Sequence, residues 1–312
     1  MRLFLLLSPL LYSLSFATEP PLASSQFSDL TAMPDRTEEF RKQIATNGGT
    51  LLLKEGVHRI TGTLEFALGG KGSTIIRPAG GPVTLIMDGA GPAIRLIGSH
   101  QGTASPSSFL PATWNERMPV VEGIEIVGNH PEADGIELIR TFEAVVSKVG
   151  VRWCRHGIHL VERNRNVSIS DVNLYQNRGI GLFLDDVNLH QINVGNSHIS
   201  YNQGGGVIVR NGNVRNLQIT GCDIEANMPD DDTATTAANI LLDVSGMPDD
   251  KSRSIAEVAI TGCTLQHSSN YSGKDFKVLA PGGANIRFLG KKLAPIDSVT
   301  ISGNVLSDTE LN

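Results

Sequence analysis

Aromatic side chains are scarce in this chain of 312 residues, at 5%, and charged ones reach only 19%. That balance excludes the usual helical enzyme and points to many short strands joined by turns. Excess positive charge is also missing. The net charge of −6 becomes −7 if Arg2 is removed with a leader, which argues against general nucleic-acid binding. Cysteine is limited to three residues, so an exported chain could not pair them all. Long apolar runs are absent beyond residues 3–14, and that run is too short to span a bilayer. It reads instead as the core of a signal peptide over residues 1–17, with Arg2 before it and Ser15-Phe16-Ala17 as a small-x-small cleavage site. The mature chain is then expected to start near Thr18 and to be secreted or periplasmic.

What is abundant is glycine, with 33 residues, in a chain that is 40% hydrophobic and therefore not disordered. The length exceeds a usual single domain unless the fold is an elongated repeat. From about residue 120 the repeat is visible, with a period of roughly 22–25 residues. One strand type runs through Gly135-Ile-Glu-Leu, Gly157-Ile-His-Leu, Gly179-Ile-Gly-Leu, Gly205-Gly-Val-Ile-Val, Ala238-Asn-Ile-Leu-Leu and Ala284-Asn-Ile-Arg-Phe. It alternates with a second: Val167-Ser-Ile-Ser-Asp-Val-Asn-Leu, Ile192-Asn-Val-Gly-Asn-Ser-His-Ile, Leu217-Gln-Ile-Thr-Gly-Cys-Asp-Ile, Val258-Ala-Ile-Thr-Gly-Cys-Thr-Leu and Val299-Thr-Ile-Ser-Gly-Asn-Val-Leu. Within each strand apolar residues alternate, so one face turns inward. Such short strands bury that face only by stacking at about 4.8 Å. Asn177, Asn202 and Asn227 recur one coil apart and are expected to form a hydrogen-bonded ladder.

These repeats resemble the pectate-lyase-like superfamily, over nearly all of the mature chain. The opening segment Gly48-Gly-Thr-Leu-Leu-Leu-Lys-Glu-Gly-Val-His-Arg-Ile-Thr-Gly-Thr-Leu is similar to that superfamily's first coil. The resemblance implies an all-β fold: a single-stranded right-handed parallel β-helix, spanning residues 48–312. Residues 18–47 then form an N-terminal segment with a short capping helix. Residues 37–45 have helical apolar spacing at Phe40 and Ile44, an N-cap at Asp35 or Thr37, and Asn47-Gly48-Gly49 to stop them. The superfamily holds lyases, hydrolases, epimerases and plain binders, so the resemblance selects no reaction.

Departures from the repeat cluster at two corners. Insertions 129–134, 155–156, 178, 203–204, 228–237 and 266–283 lie between the second and first strand types. Segments 100–119, 246–254 and 290–295 occupy another corner, the first with the exposed-looking Trp114. Loops on a rigid scaffold commonly carry binding groups. Arg155 and Arg178 are read as aligned one coil apart, with His156 beside them. Two such charges repel by about 1 kcal/mol in water and by more near a low-dielectric surface, so compensation is expected. Glu132, Asp134, Glu162 or Asp171 could supply it; so could an anionic ligand. Residues 140–178 contain seven Arg or Lys against three Asp or Glu. The second option makes Arg155, His156 and Arg178 the candidate catalytic residues of a β-elimination on an acidic polysaccharide, with cations or calcium stabilising enolate-like charge. Glu132, Asp134, Arg140, Arg152, His159 and Arg163 are the candidate substrate-binding residues.

A hydrolase would need two carboxylates flanking the bond. Glu132-Ala133-Asp134-Gly135-Ile136 is similar to the Asn-Thr-Asp-Gly-Ile motif of polygalacturonases, but Arg155-His156 stands where the paired aspartate is expected, and Asp185-Asp186 falls at the far end of the next strand. A non-catalytic glycan-binding or scaffold protein is the alternative from another class. No zinc spacing occurs, and Asp230-Asp231-Asp232 and Asp249-Asp250 read as solvated acidic loops or calcium ligands. Cys222 and Cys263 share an inward column with Val172, Ser197 and Asn304, as core thiols or as a disulfide. Ile139, Val161, Phe183, Ile208 and Leu241 form an outward apolar stripe, either covered by a loop or joining chains into a homotrimer. Gly181 and Gly206 are read as outward, leaving a shallow trough beside it. Asn166 and Asn270 begin glycosylation sequons.

Overall fold

The computed structural model describes residues 30–69, 74–103, 105–228, 238–248, 253–266, 270–272, 275–277 and 284–307. The expected signal peptide and the two acidic runs lie outside these residues.

Parallel strands stack into three sheets, two of nine strands and one of eight, and the chain visits them in turn. The fold is the expected parallel β-helix, with one correction. What reads as a single second strand type is two strands, Arg163–Ser170 in the first sheet and Asn173–Tyr175 in the second. Between them Asp171 has φ 54°, and Asn196, Gly221 and Gly262 take the same left-handed conformation in later coils. One such residue turns the chain without an inserted loop. The apolar spacing Val167, Ile169, Val172, Leu174 slips by one residue at that corner, and this slip is its trace in the sequence.

The inward side chains form one continuous core, from Leu51 and Leu53 to Ile260 and Leu265. The helix Thr37–Thr46 closes the first coil, burying Phe40 and Ile44 against this core. Arg36 occupies the N-cap position without a side-chain cap bond. Asp35 does the capping work, accepting the Thr37 amide at 2.9 Å and the Thr37 and Thr61 hydroxyls at 2.6 Å each. Partial burial opposes its ionisation, but these hydrogen bonds prevail and lower its carboxyl pKa to about 2.

The asparagine ladder is present and longer than expected. Asn177 Nδ2 donates to Asn202 at 2.8 Å, Asn202 to Asn227 at 2.7 Å, Asn227 to Asn239 at 2.9 Å and Asn239 to Asn285 at 2.8 Å. Asn239 stands at the third-sheet position that Gly181 and Gly206 hold in earlier coils. The outward trough expected at these glycines is therefore absent. A Cβ on Gly181 would sit 2.8 Å from both Asn202 Nδ2 and Ile199 Cγ2, so the position faces the ladder and needs glycine. Cys222 and Cys263 do stack, but both are free, and their thiols donate to the carbonyls of Val194 and Ile219.

Replacing Asn202 by Ala would strand the Asn177 amide donors in the core. The variant should lose roughly 2–3 kcal/mol in a denaturant titration. Unfolding without reductant should expose three titratable thiols; finding one would show a Cys222–Cys263 disulfide.

Candidate functional site

The first candidate lies on the outer face of the third sheet, where Ala133–Ile139, Ile158–Val161 and Ile180–Asp185 stack. Asp134 is 3% exposed, and it accepts Arg155 Nε and Nη2 at 2.9 and 2.5 Å and the His156 amide at 3.0 Å. A guanidinium gripped by both carboxylate oxygens is held charged, and that pairing outweighs desolvation to raise the Arg155 pKa. The compensating acid for Arg155 is thus Asp134. The Arg178 amide bonds to the Cys154 carbonyl, as a backbone register partner of Arg155 does, but the two side chains take different partners. The Arg178 guanidinium donates to the His130 carbonyl at 2.6 Å.

His156 Nδ1 accepts the Ile180 amide at 3.1 Å, so Nε2 carries the ring proton of the neutral form. Burial lowers its pKa from 6.5 to about 4, overcoming the opposing pull of Asp134. The His159 ring lies 5.5 Å from it and stacks on Phe183 at 5.1 Å. Its Nδ1 is 3.7 Å from Glu137, and its Nε2 is 3.5 Å from Asp185. Asp185, which the sequence places at the far end of a strand, therefore belongs to this cluster. Arg210 lies over the opposite part of the group, 5.6 Å from the Phe183 ring centre.

Strand register explains what the sequence reading placed wrongly. Ile158 pairs with Leu182, not Ile180, a shift of two residues. Such a shift leaves every side chain on its own face, so alternation cannot reveal it. The true outward column is Glu65, Arg95, Glu137, His159, Phe183, Ile208, Leu241 and Arg287. Ile139 and Val161 belong to the next column, beside Asp185 and Arg210. The apolar stripe is closed within the chain: Phe183, Ile208 and Leu241 are 6%, 1% and 2% exposed and pack with Ile180 and Ala238. Ile139 and Val161, in the next column, are half-buried.

The remaining candidates are dispersed. Glu132 is exposed at the edge of the same face. Arg152 lies on the second sheet, paired with Glu125 at 2.7 Å and resting 4.4 Å from the Trp153 ring. Arg140 pairs with Glu162 at 3.4 Å. Arg163 begins the first-sheet strand beyond the third-to-first corner. Nearby, Arg165 donates to His190 Nδ1 at 3.1 Å and lies 5.2 Å from the Phe109 ring. His100 is fully buried between Phe109 and Phe142, with both ring nitrogens lacking a hydrogen-bond partner. Burial, with repulsion from Arg163 and Arg165, lowers its pKa to about 4. Among the described residues no group of three His, Cys, Asp or Glu side chains could hold a metal ion, so the calcium reading finds no ligand set there.

Residues 114–265 match the family model described as right handed beta helix region. The chain is a right-handed parallel β-helix. No curated protein sequence matches it. Among solved structures, Geobacillus virus E2 ORF18 is 12% identical with a TM-score of 0.42, over 88% of this chain and 59% of that one. The mannuronan C-5 epimerase AlgE6 A-module of Azotobacter vinelandii is 16% identical with a TM-score of 0.33, over 89% and 97%. The GH87 α-1,3-glucanase of Streptomyces thermodiastaticus is 12% identical with a TM-score of 0.36, over 88% and 66%. This β-helix thus spans 59% of the phage protein's length, and likeness at these scores bears on neither substrate nor reaction. No helix among the described residues is long and apolar enough to cross a membrane.

The two shifted histidines make a testable pH dependence. Folded His100 and His156 titrate near 4, whereas the unfolded side chains titrate near 6.5. In that window the unfolded chain holds the extra protons, so stability is complete above it and falls as pH drops through it. His100→Phe should lose less stability than the parent between about pH 7 and about pH 5, measured by denaturation midpoints.

Proposed function

We propose that this β-helix binds an acidic polysaccharide across the outer face of the third sheet and cleaves it by β-elimination. The observation that carries the reading is the pair His156 and His159 on one face, with Glu137 and Asp185 flanking the second ring. Elimination requires a base for the proton α to the uronate carboxylate and a donor that stabilises the enolate-like charge; the C4–O4 bond then breaks as the C4=C5 double bond forms, and the departing oxygen takes the proton back from the protonated base. Arg155 cannot be that base, because Asp134 holds it charged. The role passes to His159, whose ring nitrogens are polarised by two carboxylates. Neutral His156, with its proton on Nε2, suits the donor role, since a neutral imidazole can polarise a carboxyl oxygen without surrendering its proton. Arg155, Arg178 and Arg210 supply positive potential along the edge of the face.

A second reading, glycan binding without turnover, is favoured by the engagement of Arg155 in an ion pair, as a structural arginine would be. Incubation with polygalacturonate or alginate separates the two. Lyase action gives the ultraviolet absorbance of unsaturated uronic ends, and His159→Ala should reduce its rate by at least about 100-fold. Retention of the polymer with no absorbance change supports the binding reading. Neither retention nor turnover would remove both.

A further inference from the structure

A separate cluster lies around the third-to-first corner. Arg165, His190 and Arg215 are direct register partners in three successive coils, and Arg163 stands two residues before Arg165. His190 Nδ1 accepts from Arg165, so the like charges gathered here are Arg163, Arg165 and Arg215, and such repulsion costs about 1 kcal/mol per close pair even in water. Elsewhere the chain relieves such cost with acids: Arg95, Arg140, Arg152, Arg155 and Arg253 each pair with a carboxylate. Among the described residues no carboxylate lies within ion-pair distance of Arg163, Arg165 or Arg215. The Nε atoms of Arg163 and Arg165 are buried without a hydrogen-bond partner, and Arg165 as a whole is only 8% exposed. Buried guanidinium charge left without a paired acid is costly, and an arriving oxyanion would neutralise it.

The geometry is also that of a prepared cleft. Arg215 is locked by the Ser254 carbonyl at 2.7 Å and the Ser254 hydroxyl at 2.6 Å. A depression of about 270 Å³ is lined by Thr103, Arg163, Asn188, His190, Asn213 and Arg215. Thr103 comes from one insertion at this corner, and Ser254 ends the other, so both walls are departures from the repeat. Trp114, on the short helix Pro111–Asn115, is 40% exposed and reaches the cluster through Phe109, whose ring centre is 5.2 Å away. An exposed indole beside a cationic cleft offers a flat apolar face to a sugar ring while the guanidinium groups take its charge.

We propose that this cleft is a second glycan site, in which Arg163, His190 and Arg215 bind a carboxylate or sulfate substituent, Arg165 holds His190 through its Nδ1, and Trp114 receives the adjoining sugar. The proposal shares the substrate class of the lyase reading but not its residues, so the two can fail separately.

The test is equilibrium binding to the full chain, read by tryptophan emission and by calorimetry. The probes are trigalacturonate, a sulfated oligosaccharide, methyl-esterified trigalacturonate and inorganic sulfate. At least one acidic oligosaccharide should bind roughly tenfold more tightly than the esterified one, and Arg163→Gln should weaken that binding roughly tenfold. Asn188→Asp places a carboxylate on the exposed rim with little risk to folding, and should weaken it comparably. Equal affinity for charged and esterified oligosaccharides would overturn the proposal. So would unchanged affinity in Asn188→Asp and in a folded Arg163→Gln. Binding of sulfate with no acidic oligosaccharide bound would overturn the glycan assignment. Loss of turnover in His159→Ala together with unchanged affinity in Arg163→Gln would sink this site and leave the lyase reading standing.

Discussion

Stacking in register, one coil directly above the next, is the constraint on which everything else in this β-helix depends. Parallel pairing brings equivalent residues to about 4.8 Å, so each residue's closest neighbours are its own counterparts. Columns of Ile, Leu and Val tolerate that arrangement because apolar contacts have no sign. Asparagine tolerates it because each amide both donates and accepts, and the buried ladder from Asn177 to Asn285 uses both functions. Like charges do not tolerate it.

The charged columns therefore carry information. Glu65, Arg95 and Glu137 alternate in sign along the third sheet, and Arg95 contacts both acids. Arg155 meets a buried Asp134 instead of another cation. His159 continues the alternating column and comes between two carboxylates. Against this background the column of Arg165, His190 and Arg215 stands out, since it sets two arginines on either side of an imidazole with no acid in an ion pair. The insertions do related work at the corners. They bring Phe109 against Arg165 and Ser254 against Arg215, with Trp114 packed on Phe109, where the regular coil has no residues to offer.

Much of the fold was legible because burial imposes a short-range rule: an inward strand residue is followed by an outward one. The apolar alternation obeys it, while the helical spacing of Phe40 and Ile44 and the one-coil recurrence of asparagine are equally regular signals of their own period. Three sheets were harder to read than two, because the corner at Asp171 costs a single residue and leaves only a one-step slip in the pattern. The site was less legible still. Ile158 pairs with Leu182, and that shift of two preserves every face while changing every neighbour. It moved Phe183 beside His159 and separated Ile139 and Val161 from that column.

The sequence by itself determined the repeat, the inward faces and the ladder, because these follow from the composition of each coil taken alone. Only the tertiary structure decided which charges meet. Arg155 with Asp134, His159 with Asp185, and Arg163 and Arg165 with no ion pair among the described residues depend on register between coils and on how each corner turns. Those relations act across about 5 Å of space but 20 or more residues of chain, and neither alternation nor spacing along one coil encodes them.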